Sequence, residues 1–255
     1  IIEYKADKFY QPGNSEITIS FRGIGSNKNI FISANPSNPY FCLSEKNYDN
    51  PSTPPNFCMV LRKHFIGAKL KDIIQNGKDR TVNFIFDTTN ELGDKIIKKI
   101  VVEIMGRHSN IIILNENDIV IDSIKHINFN ISQVRQIMPG LKYHLPPGQD
   151  KIELSDINEK NSNEILSEPK LDKALLNKFS GLSPLVSKEI AYRAQNDKLK
   201  TVIEKINTDE TYPCYAVDKN RNPVAFSYLL LTMYENECDL IRYPSLSKLT
   251  EDFFY

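Results

Sequence analysis

Two runs near the start of the chain alternate apolar and polar residues with a period of two, at residues 16–21 and 29–35. Successive side chains of a strand point to opposite faces, so this alternation predicts strands with one buried face. The segment RGIGSNK between the runs is typical of a hairpin loop, because it contains glycine. The first 50 residues are therefore predicted to fold as a β-meander.

The meander is predicted to continue beyond one helix. Further strands are expected at residues 70–77, 81–86 and 95–105, followed by a hairpin that turns at residues 115–118. The helix is expected from Asn56, where Phe57, Leu61 and Phe65 share one apolar face with Val60. Gly67 is expected to mark its end.

The composition changes near residue 149. Residues 150–170 contain six acidic residues and three lysines, which is typical of a polar boundary. Two helical patterns follow, and between them FSGLSP predicts a tight helix–turn–helix with its bend at Gly181. Ser183 is a suitable N-cap, with Pro184 at the first helical position. Residues 213–231 are expected to form two strands, and the last residues a short helix.

Overall composition gives little evidence of function. The 32 Lys and Arg residues balance the 32 Asp and Glu residues, so a polyanionic partner would have to bind a local basic patch. The sequence contains no GxSxG, HExxH or P-loop motif, so nothing favours an enzyme. Its four cysteines form no CxxC pair, and no metal or cofactor is expected. Neither a signal peptide nor a membrane-spanning run is predicted.

Two local signals remain, and each places an arginine beside a glycine at the end of a predicted strand. The first is GKDR at residues 77–80, and the second is EIMGRHSN at residues 103–110. A guanidinium in such a place can approach phosphate groups or base edges. Residues 55–110 contain 10 basic and 6 acidic residues, a local net charge of +4. Basic residues of the predicted helix and the next strand (Arg62, Lys63, Lys69 and Lys71) are expected to extend this basic face.

Both signals also have an ordinary structural explanation. Taken alone, GKDR is more typical of a solvated hairpin loop in which Asp79 pairs with Arg80 or caps the backbone. The run at residues 107–110 is consistent with a bulge or turn whose polar groups are satisfied. Against this, Glu103 is expected to hold Arg107 as a buried ion pair. These alternatives stay open at the level of the residues.

Together these stretches resemble the N-terminal region of the fibronectin-binding A / NFACT family of ribosome-quality-control factors, which includes RqcH and NEMF. The matching pieces follow the family's order across nearly the whole chain. They are DKFYQP, SANPSNPYFCL, NPSTPPNFCMVLRKHFIGAKL, GKDR, ELGDK, EIMGRHSNIIILN, DSIKHIN, RQIMPGLKYHLPP, GLSPLVSKEIAYRA and YPSLSKLTEDFFY.

The resemblance implies an α+β chain with three parts. Residues 1–148 would form a β-rich domain related to the N-domain of formamidopyrimidine-DNA glycosylases, with the family's first helix missing. Residues 149–210 would form a small helical, helix-hairpin-helix-like domain. Residues 211–255 would form a returning β-hairpin that leads into a coiled coil absent from this sequence.

For function, the resemblance implies a non-catalytic module that binds tRNA, alanyl-tRNA in bacteria, and the large ribosomal subunit in the cytoplasm. The full-length protein would support untemplated tailing of stalled nascent chains. The resemblance matches Asp79 and Arg80 to the family's Asp-Arg motif for tRNA, and the run from Glu103 to Arg107 to its tRNA-facing surface. The predicted RNA-binding residues are Asp79, Arg80, Glu103, Met105, Gly106, Arg107 and His108, of which His108 comes from the local pattern at residues 103–110. Arg107 would face RNA, Gly106 would permit close approach, and unpaired bases would be read in preference to a duplex.

Two other functions compete with this prediction. One is a surface adhesin that binds fibronectin or fibrinogen, displayed on the cell surface without a signal peptide. The other is a nucleic-acid lyase or glycosylase, which the predicted fold kinship alone supports only weakly.

Overall fold

The computed structural model describes residues 1–77, 79–90, 92–148, 150–208 and 211–255. The described chain divides into two compact units, Ile1–Pro147 with Phe254, and Gly148–Phe253 with Tyr255. The first unit is dominated by one large antiparallel sheet, and the second by helices with a small sheet, so the predicted α+β class is confirmed. Residues 211–253 fall in the second unit together with its helices.

The first unit contains a sheet of nine described strands. They are β1 (Lys5–Tyr10), β2 (Glu16–Arg22), β3 (Asn27–Ala34), β4 (Pro39–Ser44), β5 (Lys69–Gln75), β6 (Thr81–Thr89), β7 (Lys95–Glu103), β8 (Asn110–Leu114) and β9 (Val120–Ser123). Their order across the sheet is β4-β3-β2-β1-β5-β6-β7-β8-β9. Consecutive strands are therefore neighbours except at one point, between β4 and β5, and the predicted meander is confirmed.

Helix α1 (Asn56–Phe65) makes the connection between β4 and β5. It ends as predicted, because Gly67 follows it with φ +81°, a left-handed conformation that glycine adopts without strain. The buried face of α1, which includes Phe57, Leu61 and Phe65, packs into the main core of the sheet. The core phenylalanines contact one another there, as Phe65 and Phe86 do in an edge-to-face pair.

The strand register determines which loops lie together. Thr81, the first residue of β6, pairs with Glu103, the last residue of β7. Gln75 at the end of β5 pairs with Val82, and Glu103 also pairs with Asn110 at the start of β8. The turn between β5 and β6 and the connection between β7 and β8 therefore leave the same end of the sheet. We call this the Arg80 end.

The hairpin turn between β2 and β3 lies away from the Arg80 end. Arg22 and Asn27 flank this turn and pair with each other. At the other end of β3, Ala34 lies close to the Arg80 end, because Lys125 Nζ donates to both the Ala34 and the Ser109 carbonyls. The length of β3 therefore separates residues 23–26 from the Arg80 end. This turn supplies matched control positions for the experiments proposed below.

The second unit contains five helices and a three-stranded sheet within the described residues. The helices are α2 (Glu159–Leu166), α3 (Leu171–Lys178), α4 (Pro184–Arg193), α5 (Leu199–Thr208) and α6 (Leu246–Phe254), and the strands are β10 (Cys214–Val217), β11 (Pro223–Ser227) and β12 (Asp239–Arg242). The hydroxyl of Ser183 accepts a hydrogen bond from the Val186 N–H at 3.2 Å, so the predicted N-cap is confirmed. Gly181 lies in the predicted bend with φ +73°.

The acidic stretch at residues 150–170 is structured where it is described. Residues 159–166 form α2, which a capping box between Asn158 and Asn161 initiates. Helix α5, which the sequence analysis did not predict, buries Leu199, Val202 and Ile203 in the core of the second unit. Both helices are amphipathic, so their formation depends on the apolar face that they share with neighbouring helices.

Candidate nucleic-acid interface

The turn between β5 and β6 presents Arg80 at the surface. Asn76 accepts a hydrogen bond from the Asp79 N–H at 3.0 Å through its carbonyl, and Gly77 has φ +58°. The Asp79 carboxylate accepts a hydrogen bond from the Arg80 N–H at 2.7 Å. Asp79 therefore caps the turn backbone, one of the two explanations that the sequence left open, while the Arg80 side chain is exposed. Lys78 of the same motif lies outside the described residues.

The connection between β7 and β8 is a tight turn that presents Arg107 and His108. A short 3-10 helix, Gly106–His108, begins at Gly106 with φ +57°. Ser109 is buried, and its hydroxyl accepts a hydrogen bond from the Met105 N–H at 2.8 Å. Arg107 and His108 are exposed, and Arg107 Nε donates to His108 Nε2 at 3.0 Å, which uses the imidazole as an acceptor. The apolar run is thus interrupted by a turn with two exposed cationic or polar side chains.

These two turns lie side by side. The Ile104 N–H donates to the Arg80 carbonyl at 2.8 Å, one residue beyond the Thr81–Glu103 pair of the sheet. Arg80 and Arg107 thus belong to adjacent backbone segments at the Arg80 end, and both side chains are exposed. Within the described parts of the chain, neither arginine has a carboxylate partner. Two unneutralised guanidinium groups on neighbouring turns form a small positive surface.

Glu103 does not hold Arg107, so that predicted ion pair is wrong. The Glu103 side chain is fully buried, and its two oxygens accept from the Nη1 and Nη2 atoms of Arg135. The hydroxyl of Tyr143 donates to the same carboxylate at 2.8 Å. The prediction failed because Glu103 and Arg107 are close in sequence, whereas the strand points Glu103 into the molecule and the turn points Arg107 out of it.

The partners of Glu103 also contact each other. The Arg135 guanidinium lies 5.0 Å from the centroid of the Tyr143 ring, and Arg135 Nε donates to the His144 carbonyl at 2.6 Å. Burial, followed by the nearby negative charge of Glu103, raises the pKa of Tyr143. The phenol therefore stays protonated and continues to donate to the carboxylate over the physiological pH range.

Lys125 and Asn110, which were not predicted from the sequence, stabilise the turn between β7 and β8 from its buried side. Lys125 Nζ donates to the carbonyls of Ala34 and Ser109, and burial lowers the pKa of the Lys125 amine. Asn110 is fully buried, and its side-chain amide both donates to the Lys125 carbonyl and accepts from the Lys125 N–H. Ala34 belongs to the motif SANP, which resembles the family, but the link that Lys125 makes between Ala34 and Ser109 could not be predicted from a single sequence.

Two of the basic residues expected to extend this face lie elsewhere. Lys69 and Lys71 lie at the start of β5, away from the Arg80 end, and they pair with Glu3 and Asp87 respectively. The prediction is wrong for these two lysines, because antiparallel pairing places the two ends of β5 at opposite ends of that strand pair. Arg62 Nε donates to a backbone carbonyl of β1 at 3.0 Å.

The described residues contain neither a candidate metal cluster nor a helix that could span a membrane. No group of three or more His, Cys, Asp or Glu residues there could hold a metal ion. Among the same residues, no helix has both the length and the apolar character that a bilayer crossing requires. None of the four cysteines forms a disulfide, and burial raises the pKa of Cys58 and Cys214.

Comparison with known proteins identifies the family. The family described as NFACT N-terminal and middle domains matches the chain over residues 1–255. The chain belongs to the NFACT family. This membership confirms the resemblance that the motifs predicted. Among curated relatives, Rqc2 homolog RqcH of Bacillus subtilis is 36% identical over 259 residues, a match that covers 97% of this chain and 45% of the relative.

Solved structures of NFACT-like chains have the same fold. The fibrinogen binding protein from Staphylococcus aureus is 29% identical, with a TM-score of 0.85 over 99% of this chain and 92% of that chain. The N-terminal part of the fibronectin/fibrinogen-binding protein from Streptococcus suis matches with the same identity and TM-score over 100% of this chain and 92% of that one. The chain spans less than half the length of the curated RqcH relative.

Proposed function

We propose that this chain is the tRNA- and large-subunit-binding part of a ribosome-associated quality-control factor. The observation that carries the proposal is the adjacency of two exposed arginines, Arg80 and Arg107, on turns that the Ile104–Arg80 hydrogen bond joins. Exposed guanidinium groups without carboxylate partners can bind a phosphate group through bidentate hydrogen bonds. Membership of the NFACT family supports a role for this surface in ribosome-associated quality control.

The predicted residues have different parts in this proposal. Arg80 and Arg107 contact RNA directly, and His108 orients Arg107 through their hydrogen bond. Gly106 gives the turn its left-handed conformation, and the half-buried Met105 adds apolar surface beside it. Asp79 caps the turn that carries Arg80, so it acts on RNA binding through Arg80. Glu103 is too deeply buried to touch RNA and acts through Arg135.

The proposal extends to the whole protein of which this chain forms a part. There the surface would bind alanyl-tRNA on large ribosomal subunits that carry stalled nascent chains. This binding would support untemplated tailing of those chains in the cytoplasm, and this chain would not itself catalyse a reaction. Kinship of the first unit to the N-domain of formamidopyrimidine-DNA glycosylases is part of the same proposal. Fold kinship alone supplies no argument for glycosylase activity.

Salt-dependent tRNA binding by the 255-residue chain tests the proposal. Arg80→Ala and Arg107→Ala are each expected to weaken binding about tenfold, and each should make the plot of log affinity against log salt less steep by about one. The double variant should bind at background level. Filter binding or fluorescence anisotropy over a salt series gives both quantities.

Arg22→Ala is the matched control, because Arg22 is exposed and flanks the β2–β3 turn, away from the Arg80 end. It should bind tRNA like the unmodified chain. Unchanged binding in the Arg80→Ala/Arg107→Ala double variant, or affinity that does not depend on salt, would contradict the proposed RNA interface.

A second candidate function rests on the names of the similar structures. The Staphylococcus aureus and Streptococcus suis proteins carry names that refer to fibrinogen or fibronectin binding. We propose adhesion to these proteins, at the cell surface, as the alternative activity. Surface plasmon resonance with immobilised fibronectin and fibrinogen tests it. Adhesion that the double arginine variant retains would assign it to a different surface from RNA binding.

A further inference from the structure

A loop beside the two arginine turns exposes an unusual set of apolar side chains. We define residues 128–136 as the Phe129 loop. Within it Phe129, Ile131 and Val134 are 63%, 66% and 81% exposed. Phe129 is the one strongly exposed phenylalanine in the part of the chain that the structure describes. Clustered exposed apolar residues on an otherwise well-packed unit mark binding sites more often than chance.

The loop lies at the Arg80 end of the sheet. After β9, the Ile124 N–H donates to the Ile111 carbonyl at 2.8 Å, and Asn110 bonds both backbone groups of Lys125. The chain is therefore led past the start of β8, next to Glu103. Arg135 of the loop then binds the Glu103 carboxylate directly. The exposed apolar residues and the two arginine turns thus share one end of the same sheet.

The loop is held rigidly although it contains no regular element. Its base is closed by a bridge in which Ile127 and Ile137 exchange backbone hydrogen bonds at 2.9 and 2.8 Å. Inside it, the Ser132 N–H donates to the Asn128 carbonyl at 3.0 Å. Glu103 anchors Arg135 from below through two hydrogen bonds. A loop fixed at three points presents its apolar side chains on the surface and does not collapse onto the core.

We propose that Phe129 stacks on an unpaired base of the RNA that Arg80 and Arg107 bind, and that Glu103 positions the loop through Arg135. This inference rests on the proposed RNA-binding function. Exposed aromatic rings next to cationic side chains are the combination by which proteins bind unpaired nucleotides, since the ring takes the base and the cation the phosphate. The positive surface at Arg80 and Arg107 favours this occupant over an apolar protein segment.

The test compares two RNA probes of equal length, a hairpin with an unpaired loop and a blunt duplex. Phe129→Ala should lower the affinity for the hairpin about tenfold or more. The same variant should leave duplex affinity unchanged. Phe129→Tyr keeps the ring and should bind like the unmodified chain, whereas Phe129→Leu keeps only apolar surface and should fail like alanine. Ile24→Ala, a fully exposed apolar position in the β2–β3 turn, is the control.

A fluorescent adenine analogue in the hairpin loop gives a direct signal of stacking. Binding should quench it with the unmodified chain and with Phe129→Tyr, but not with Phe129→Leu. Glu103→Gln should reduce this quenching more than it reduces duplex binding, which is the pattern expected of a positioning residue. Circular dichroism of each variant checks that the chain is folded.

The possible outcomes distinguish failure of the Phe129 stacking role from failure of the RNA-binding function on which it rests. If the unmodified chain binds neither probe, the RNA-binding function itself fails. If the arginine variants lose binding while Phe129→Ala or Phe129→Leu binds the hairpin normally, the stacking role is wrong and the RNA interface stands. Equal loss of hairpin and duplex binding in Phe129→Ala would also overturn the stacking role.

Discussion

Each unit of this protein buries one glutamate against an arginine, and the two sites differ in what the carboxylate holds. Glu103 and Glu189 are both fully buried. Glu103 lies at the end of β7 and binds two side chains far along the sequence, those of Arg135 and Tyr143. Glu189 lies within α4 and binds Arg193, four residues later on the same helix.

Most of the remaining partners of Glu189 belong to the backbone. Its carboxylate accepts from the N–H groups of Thr232 and Met233 at 2.9 and 3.1 Å, and also from the Thr232 hydroxyl at 2.5 Å. Arg193 donates to the Leu230 carbonyl at 2.7 Å. Glu189 thus ties a chain segment to a helix largely through backbone groups. Glu103 ties a surface loop to a sheet through side chains that a mutation can change. The first arrangement secures the fold, and the second also sets the position of a surface.

The largest effect on stability is expected for Glu189→Ala. The change leaves a guanidinium, two backbone N–H groups and the Thr232 hydroxyl without their acceptor, which should lower the free energy of unfolding by about 5 kcal/mol. Urea unfolding followed by hydrogen exchange of the α4 amides measures this loss in the second unit. Protection in β7 should change much less, and equal losses in both units would contradict the independent roles of the two glutamates.

Glu103→Ala should cost less, about 3 kcal/mol. Its orphaned partners are side chains, and Arg135, which is partly exposed, can turn toward water once the carboxylate is gone. Hydrogen exchange of the β7 amides reports the loss, and Glu189→Ala is the reference. If Glu103→Ala lowered the free energy of unfolding as much as Glu189→Ala or more, the expected advantage of side-chain partners, which can turn toward water, over backbone partners would be wrong.

This comparison also explains how far the sequence could predict the fold. The hairpins of the first unit are local, since each strand pairs with its neighbour in sequence, and alternation with turn residues was enough to predict them. Gly67 and Ser183 act within a few residues of their own positions, so the end of α1 and the start of α4 were predictable as well.

The parts that failed depend on contacts distant in sequence. Arg135 lies 32 residues after Glu103, and a single sequence offers no signal for that pair. Sequence proximity suggested Arg107 in its place. Arg80 and Arg107 were predicted as site residues because each lies near a glycine at a strand end, a local pattern. Their adjacency, which the register of β6 and β7 creates, became evident only in the structure.

A smaller effect, with a distinct pH dependence, is expected for Tyr143→Phe. Loss of the hydrogen bond to Glu103 should lower the free energy of unfolding by about 2 kcal/mol near neutral pH. Burial and Glu103 raise the pKa of Tyr143 in the folded protein above its ordinary value near 10. The folded state therefore holds this proton more tightly than the unfolded chain does, and the corresponding stability is complete below pH 10.

As the pH rises above about 10, the unfolded chain loses the Tyr143 proton first, and stability should fall by up to about 1.4 kcal/mol per pH unit. Tyr143→Phe removes this contribution, so the difference between the two proteins should shrink above pH 10. Urea unfolding of both proteins at neutral and alkaline pH gives that difference, in which the other tyrosines cancel. A constant difference across the range would mean that Glu103 and Tyr143 are not coupled as the structure indicates.

The smallest effect on stability is expected for Arg107→Ala, which sharpens the contrast between an arginine that holds a loop and one that faces solvent. Arg107 is exposed, and its one side-chain hydrogen bond goes to the exposed His108. The free energy of unfolding should therefore change by no more than about 0.5 kcal/mol. Thermal unfolding of Arg107→Ala beside Arg22→Ala, which changes an exposed arginine next to the β2–β3 turn, makes the comparison. If Arg107→Ala lost tRNA affinity with no loss of stability, Arg107 would be serving binding and not the fold. A loss of stability comparable to that of Glu103→Ala would instead make Arg107 a structural residue. Weaker RNA binding by Arg107→Ala would then not be evidence that the Arg107 side chain contacts RNA.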